Sequence, residues 1–276
     1  MLKDSSSKTI ANNDAVSTGG PVGESQIGTA SLKQSPWGPL AAILYAAFLF
    51  VFAQLGMALL MALFLKGLGW NANRIEDWLT NDTFAQFAYI ALAETATVAG
   101  VIWFVHRRGA LMRLIGWNRF QLRYIVIALA GFGVYILGYI VTAMITSALV
   151  PSLNLGQKQD VGFQNAHTQL SLILTGISLV VLPPLAEEIT FRGFLFTGLR
   201  RRFRFLPATL ITSVLFAIPH LQFGGNTPLL WVAALDTLIL SFVLCYVRER
   251  TNSLWPGILI HATKNGIAFI ALFLIT

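Results

Sequence analysis

Six charged residues stand inside stretches of sequence otherwise suited to lipid: Glu94, Glu187, Glu188, Arg192, Asp236 and Lys264, in the company of His220 and His261. An acidic or basic group at the middle of a bilayer costs about 2.5–3.5 kcal/mol on insertion scales. Six isolated ones would cost on the order of 15–20 kcal/mol, comparable to or above the stability of a whole domain. They must pair, face the interior of a bundle or line a wet cavity, and residues of this kind are functional-site candidates. Glu188 and Arg192 are four apart, one above the other on a helix, and can neutralise each other. Glu187 is rotated about 100° from its neighbour and cannot share the arginine equally well. One carboxylate is therefore structural and the other is free to act.

A carboxylate beside a histidine, walled by apolar side chains, is equipped to deprotonate water. A further histidine and an amide can donate hydrogen bonds to the oxyanion of a tetrahedral intermediate. The sequence offers Glu187 as the base, His220 at the end of Phe216-Ala-Ile-Pro-His220, and His261 with Asn265 four apart on one helix face. These are the parts of a hydrolase acting on an acyl group such as a peptide bond. No setting for a Ser or Cys nucleophile is evident, and there is no His-Glu-x-x-His helix, P-loop or dinucleotide fingerprint.

The elements that must position these groups are membrane helices. Of 276 residues, 55% are hydrophobic and only 11% charged, against roughly 25% charged in an average globular protein. That excludes a soluble fold and predicts an all-α, polytopic helical bundle. The single cysteine, Cys245, excludes a disulfide scaffold. Apolar runs occupy 39–65, 84–105, 124–150, 169–199, 206–220, 228–247 and 254–275. Pro183-Pro184 is expected to kink or break the fourth, giving seven segments if it holds and eight if it breaks. Residues 1–36 read as a polar, disordered tail without the layout of a cleaved signal peptide. Residues 37–165 supply the N-terminal membrane helices and 166–276 the region with the chemistry.

The formal charge of +7 is a topology signal rather than a nucleic-acid footprint. With seven crossings, fourteen Lys and Arg residues fall on one side and only Lys66, Arg74 and Lys158 on the other. The positive-inside rule then places the N-terminus in the cytoplasm. The runs 169–199 and 206–220, joined by a tight basic turn, should pack as an antiparallel hairpin. Glu187 lies 16 residues before Phe203 and His220 lies 14 after Leu206, so at about 1.5 Å per residue both reach a similar depth. His261 falls about one to two turns shallower, unless helix tilt or a re-entrant start at Pro256 closes the gap.

Glu187-Glu188-x-x-x-Arg192, Phe216-x-x-x-His220 and His261-x-x-x-Asn265, in that order and each in an apolar segment, resemble the three motifs of the CPBP family. These are CAAX prenyl endopeptidases and bacteriocin-processing enzymes, also described as type II CAAX protease-like intramembrane proteases. The resemblance covers about residues 169–275; Arg250-Thr-Asn-Ser-Leu-Trp255 shares in it, with Asn252 where Gly is expected. It implies an intramembrane endopeptidase in which Glu187 activates water, His220 helps to polarise it, His261 and Asn265 stabilise the oxyanion, and Glu188 and Arg192 support the site. A zinc-dependent version is the alternative, with Glu187, His220 and His261 as ligands, a donor set that suits a catalytic zinc with one open position. The reading preferred on the resemblance has no cofactor. The expected partners are membrane lipid and a membrane-associated protein or peptide substrate, without nucleic acid. The expected location is a bacterial inner membrane.

Other readings use the same residues. Buried acids and histidines also relay ions in transporters, and a catalytically idle scaffold would retain the motifs. Glu94 and Asp236 match none of the three motifs. For them, lining a cavity or pairing with Lys264 is favoured over catalysis.

Overall fold

The structure, a computed structural model, describes residues 35–157, 159–222 and 229–275. The polar tail up to residue 34 and Lys158 lie outside the described residues. Among the described residues there are helices and no strands. They are α1 (Pro39–Gly67), α2 (Ala72–Asn81), α3 (Thr83–Arg107), α4 (Arg123–Leu149), α5 (Gln169–Arg200), α6 (Phe205–Ala217, extended by a 3₁₀ turn to Leu221), α7 (Trp231–Thr251) and α8 (Trp255–Phe273). A 3₁₀ turn, Met112–Ile115, lies between α3 and α4. All but α2 and α6 are long and apolar enough to span a membrane, six in total among the described residues, with α6 the shorter apolar seventh. Seven segments are therefore present, and the eighth that a break at Pro183-Pro184 would have made is absent.

α5 stays continuous because it changes winding around the prolines. The segments Ile177–Val181 and Glu188–Leu195 are π-helical, and Pro183 sits at the start of the α-helical turn Leu182–Glu187 between them. A proline removes one backbone donor and presses its ring against the carbonyl four residues earlier. A widened turn relieves the clash and leaves that carbonyl, Leu179, free for another partner.

α5 runs through the middle of the bundle. α1 and α3 pack together and against one side of it, while α6, α7 and α8 enclose the other. α6 folds back on α5 after the basic turn, as the hairpin requires, and packs more extensively on α7. α4 covers the outside of α7 and α8. Charged and amide groups gather at one end. There the guanidinium of buried Arg248 donates to the Leu114 carbonyl at 3.0 Å and to Asn252 Oδ1 at 2.8 Å. Arg200 grips Glu249 with two bonds of 2.6 and 2.9 Å. The Arg-rich loops after α3, α5 and α7 thus share one end of the bundle, the alternation that the distribution of positive charge anticipates.

Candidate active site

Three helices bring the motif residues together. Glu187 and Glu188 lie where α5 passes from α-helical into π-helical winding. His261 comes from the second turn of α8. Its Nε2 is 3.6 Å from Glu187 Oε2 and its Nδ1 is 3.3 Å from Glu188 Oε1, so one imidazole touches both carboxylates. The expected difference in depth is closed because α8 begins inside the protein. The Leu254 amide donates to the Gly116 carbonyl at 2.9 Å, and Ser253 and Leu254 are each only 1% exposed beneath that turn. The π turn adds to this, since it advances less along the helix axis per residue than α-helical winding does. Gly257 permits the approach: a Cβ there would lie 2.8 Å from Glu188 Oε2.

Glu188 is fully buried and divides its charge as its spacing foretells. Oε1 accepts from Arg192 Nη1 at 2.9 Å as well as facing His261. Arg192 is equally buried, with its guanidinium 4.3 Å above the ring of Phe216. Its Nε and Nη2 have no hydrogen-bond partner among the described residues. The pair is thus held by one charge-assisted bond and one aromatic face, and it leaves Glu187, a quarter exposed at its side chain, outside that ion pair.

His220 reaches the site by a different route. Among the described residues no hydrogen bond joins it to Glu187. Its Nδ1 lies 2.9 Å from the Phe216 carbonyl, so Nδ1–H donates there and Nε2 keeps its lone pair. The Phe216 ring is the hub: it sits 5.1 Å from the ring of His220, 5.8 Å and edge-on from that of His261, and 4.9 Å from that of Phe191. Asn265 Nδ2 donates to the Leu179 carbonyl at 2.9 Å, the acceptor that Pro183 cannot use. One of its two N–H groups is thereby fixed and the other remains for a ligand.

Nδ1 of His261 faces Glu188 and Nδ1 of His220 is committed to a backbone carbonyl, so in both histidines it is Nε2 that is left for other chemistry. Among the described residues no group of three or more His, Cys, Asp or Glu side chains is placed to hold a metal.

Asp236 pairs with Lys264 at 2.9 Å, one of the two roles favoured from sequence. Sequence reasoning missed the third member, Tyr135 on α4, whose hydroxyl donates to Asp236. Nothing in the spacing could have shown a contact across 101 residues. The cluster ties α4, α7 and α8 together, with Lys264 between His261 and Asn265 in sequence, and so fixes the rotation of the helix that carries both. Replacing either charge with a neutral residue (D236N or K264M) should destabilise the protein by roughly 1–3 kcal/mol, less than for a fully buried pair, because both side chains are partly exposed and Asp236 keeps the Tyr135 hydroxyl. The exchange D236K/K264D should recover most of that loss in unfolding followed by circular dichroism in detergent. No recovery would show that the two residues act independently.

Residues 169–267 match the family model described as Rce1-like, type II CAAX prenyl endopeptidase. Among relatives, the UPF0177 protein YxdF of Lactococcus lactis subsp. lactis (strain IL1403) is 29% identical over 127 residues, 46% of this chain and 64% of that protein. A protein of Escherichia coli described as an uncharacterized 24.3 kDa protein is 33% identical over 102 residues, 36% of this chain and 45% of its own. The Bacillus subtilis (strain 168) protein named "Putative membrane peptidase YdiL" is 28% identical over 116 residues, 40% of this chain and 44% of its own. The chain thus spans less than two thirds of the length of each of these relatives. No solved structure matches significantly. The matched region runs from the start of α5 through most of α8 and holds every motif residue described above. It is residues 169–267 that carry the similarity to the type II CAAX prenyl endopeptidase Rce1-like family.

Proposed function

We propose that the protein is an intramembrane endopeptidase that hydrolyses a peptide bond of a membrane-associated protein or peptide, without a metal. The observation that carries this reading is the 3.6 Å between Glu187 Oε2 and His261 Nε2. That separation is too long for a direct hydrogen bond and suits one water within reach of both groups. Glu187 takes a proton from that water as its oxygen bonds to the substrate carbonyl carbon. His220, whose Nδ1–H is anchored on Phe216, offers the Nε2 lone pair to the other water hydrogen and so aims the attacking oxygen. The free N–H of Asn265 and an Nε2–H of His261 receive the oxyanion. Glu188 accepts from Nδ1–H of His261, which orients the ring and balances its charge when both nitrogens carry protons.

Glu188 and Arg192 act through His261 and not on substrate. The apolar walls contributed by Phe191 and Phe216 exclude bulk water, which strengthens each of these electrostatic contacts. The relative named as a membrane peptidase accords with this reading.

The metal-free chemistry is tested with the purified protein in proteoliposomes and a quenched-fluorescent, lipid-anchored peptide. Cleavage should persist within about twofold after prolonged treatment with 1,10-phenanthroline. Loss of activity that returns on adding Zn²⁺ would overturn the metal-free reading.

A further inference from the structure

A pocket of about 530 Å³ lies where the connection from α3 to α4 meets the turn from α7 into α8. Arg108, Leu111, Arg113, Leu114 and Asn118 line it from the connection and Asn252 from the turn, and among the described residues no acidic side chain does. The buried arginines at this end of the bundle are partnered, Arg200 by Glu249 and Arg248 by Leu114 and Asn252. The exposed guanidinium groups of Arg108 and Arg113 meet no hydrogen-bond or ion-pair partner among the described residues. That of Arg108 lies 5.1 Å from the centre of the Phe104 ring. Two such cations in one pocket without a counter-charge suit an anion, and their planar forks match phosphate oxygens in pairs. Asn118 gives one N–H to the Asn252 carbonyl at 2.6 Å and keeps a second to donate.

The surroundings favour a lipid over a free anion. Leu111, in the pocket wall, is 73% exposed, and Phe120 and Leu122 on the same connection are 45% and 77% exposed. Apolar side chains left open beside arginines match the headgroup level of a bilayer, where hydrocarbon and charge are both within reach. Trp117 and Trp255 meet at 5.1 Å, and the Trp255 indole donates to the Asn118 carbonyl at 2.7 Å. Paired indoles of this kind are typical of the membrane interface.

The lining residues also carry the start of α8. Leu114 and Asn252 both hold Arg248, and Asn118 ties the connection to the turn. Two residues past Leu114, the Gly116 carbonyl takes the Leu254 amide at 2.9 Å. A Cβ on Gly116 would lie 2.8 Å from the Arg248 guanidinium, so the contact has no slack. This contact sets the depth from which α8 delivers His261 to Glu187 and Glu188. A ligand that grips the connection therefore favours the arrangement in which α8 is seated.

We propose that this pocket binds the phosphate of an anionic phospholipid, and that its occupancy raises the cleavage rate by holding the contact on which α8 begins. The effect on rate rests on the endopeptidase reading above; the binding does not.

The purified chain in neutral detergent is titrated with dioctanoyl phosphatidylglycerol, dioctanoyl phosphatidylcholine or inorganic phosphate, and binding is read by calorimetry. Phosphatidylglycerol should bind saturably. R108Q/R113Q, shown to be folded by circular dichroism, should bind it about 25-fold more weakly, from about fivefold per arginine near an anionic lipid. R201Q/R202Q, an exposed pair at the same end that does not line the pocket, should bind it as the wild type does. Equal weakening in the two variants would mean diffuse attraction and overturn the site. Inorganic phosphate binding as tightly as phosphatidylglycerol, or phosphatidylcholine doing so, would overturn the anionic-lipid assignment. Cleavage of a lipid-anchored peptide in the same detergent should rise with phosphatidylglycerol, half-maximally at the concentration that half-fills the site. Wild type and R201Q/R202Q should show that rise and R108Q/R113Q should not. Binding without the rise would overturn the effect on rate. Wild-type protein that binds the lipid but cleaves under no condition would sink the endopeptidase reading and the rate effect with it, while the binding result stands.

Discussion

Substituting Glu187 with glutamine should lower peptide cleavage by at least about 10³-fold while the protein stays folded and inserted. The amide keeps the volume and hydrogen-bonding capacity of the side chain but cannot take a proton, and general-base catalysis alone contributes about 10²–10⁴-fold. Among the described residues Glu187 makes no ion pair with Arg192, and it meets His261 at 3.6 Å. The cost to stability should therefore be small, within about 1 kcal/mol. Initial cleavage rates, together with thermal unfolding in detergent, separate the two effects. An E187Q protein that cleaves at more than a tenth of the wild-type rate would remove Glu187 from the role of base.

The second large effect is expected at Arg192. Replacing it with methionine leaves Glu188 charged, fully buried and without its cation, which should destabilise the protein by about 3–5 kcal/mol. Lysine should not substitute well, because it lacks the planar group that lies over Phe216. The double variant E188Q/R192M removes both charges at once and should regain much of the stability. It should not regain activity, since Glu188 also orients His261 through Nδ1. Unfolding measurements and cleavage rates on the single and double variants check both statements. Recovery of stability and activity together would mean that Glu188 only neutralises Arg192.

Much of this site was legible because charge in lipid is rare and expensive. Glu187, Glu188 and Arg192 stand out from their surroundings, and a spacing of four predicts the Glu188–Arg192 pair that the structure contains. What could not be read is what depends on winding and on long-range cover. Pro183-Pro184 signals a break in any α-helix, yet the flanking π turns absorb it and the orphaned Leu179 carbonyl becomes the anchor of Asn265. The depth of His261 depends on the 112–116 turn drawing the start of α8 inward through the Gly116 carbonyl, a contact across more than a hundred residues with no local signature. Tyr135 belongs to a helix outside the motif-bearing half, so periodicity places it on a helix but not beside Asp236. The segment count was open only because the effect of two prolines on one helix was open.

The central claim is that Glu187 activates water and does not attack the substrate itself. It is tested most directly by a single turnover in H₂¹⁸O, with wild-type protein in excess over a lipid-anchored peptide and E187Q run beside it. Mass spectrometry should find one ¹⁸O in the new carboxyl terminus of the product, none in the Glu187 carboxylate, and almost no product from E187Q. Label recovered in Glu187, with an unlabelled product from the first turnover, would contradict the account and make Glu187 a nucleophile.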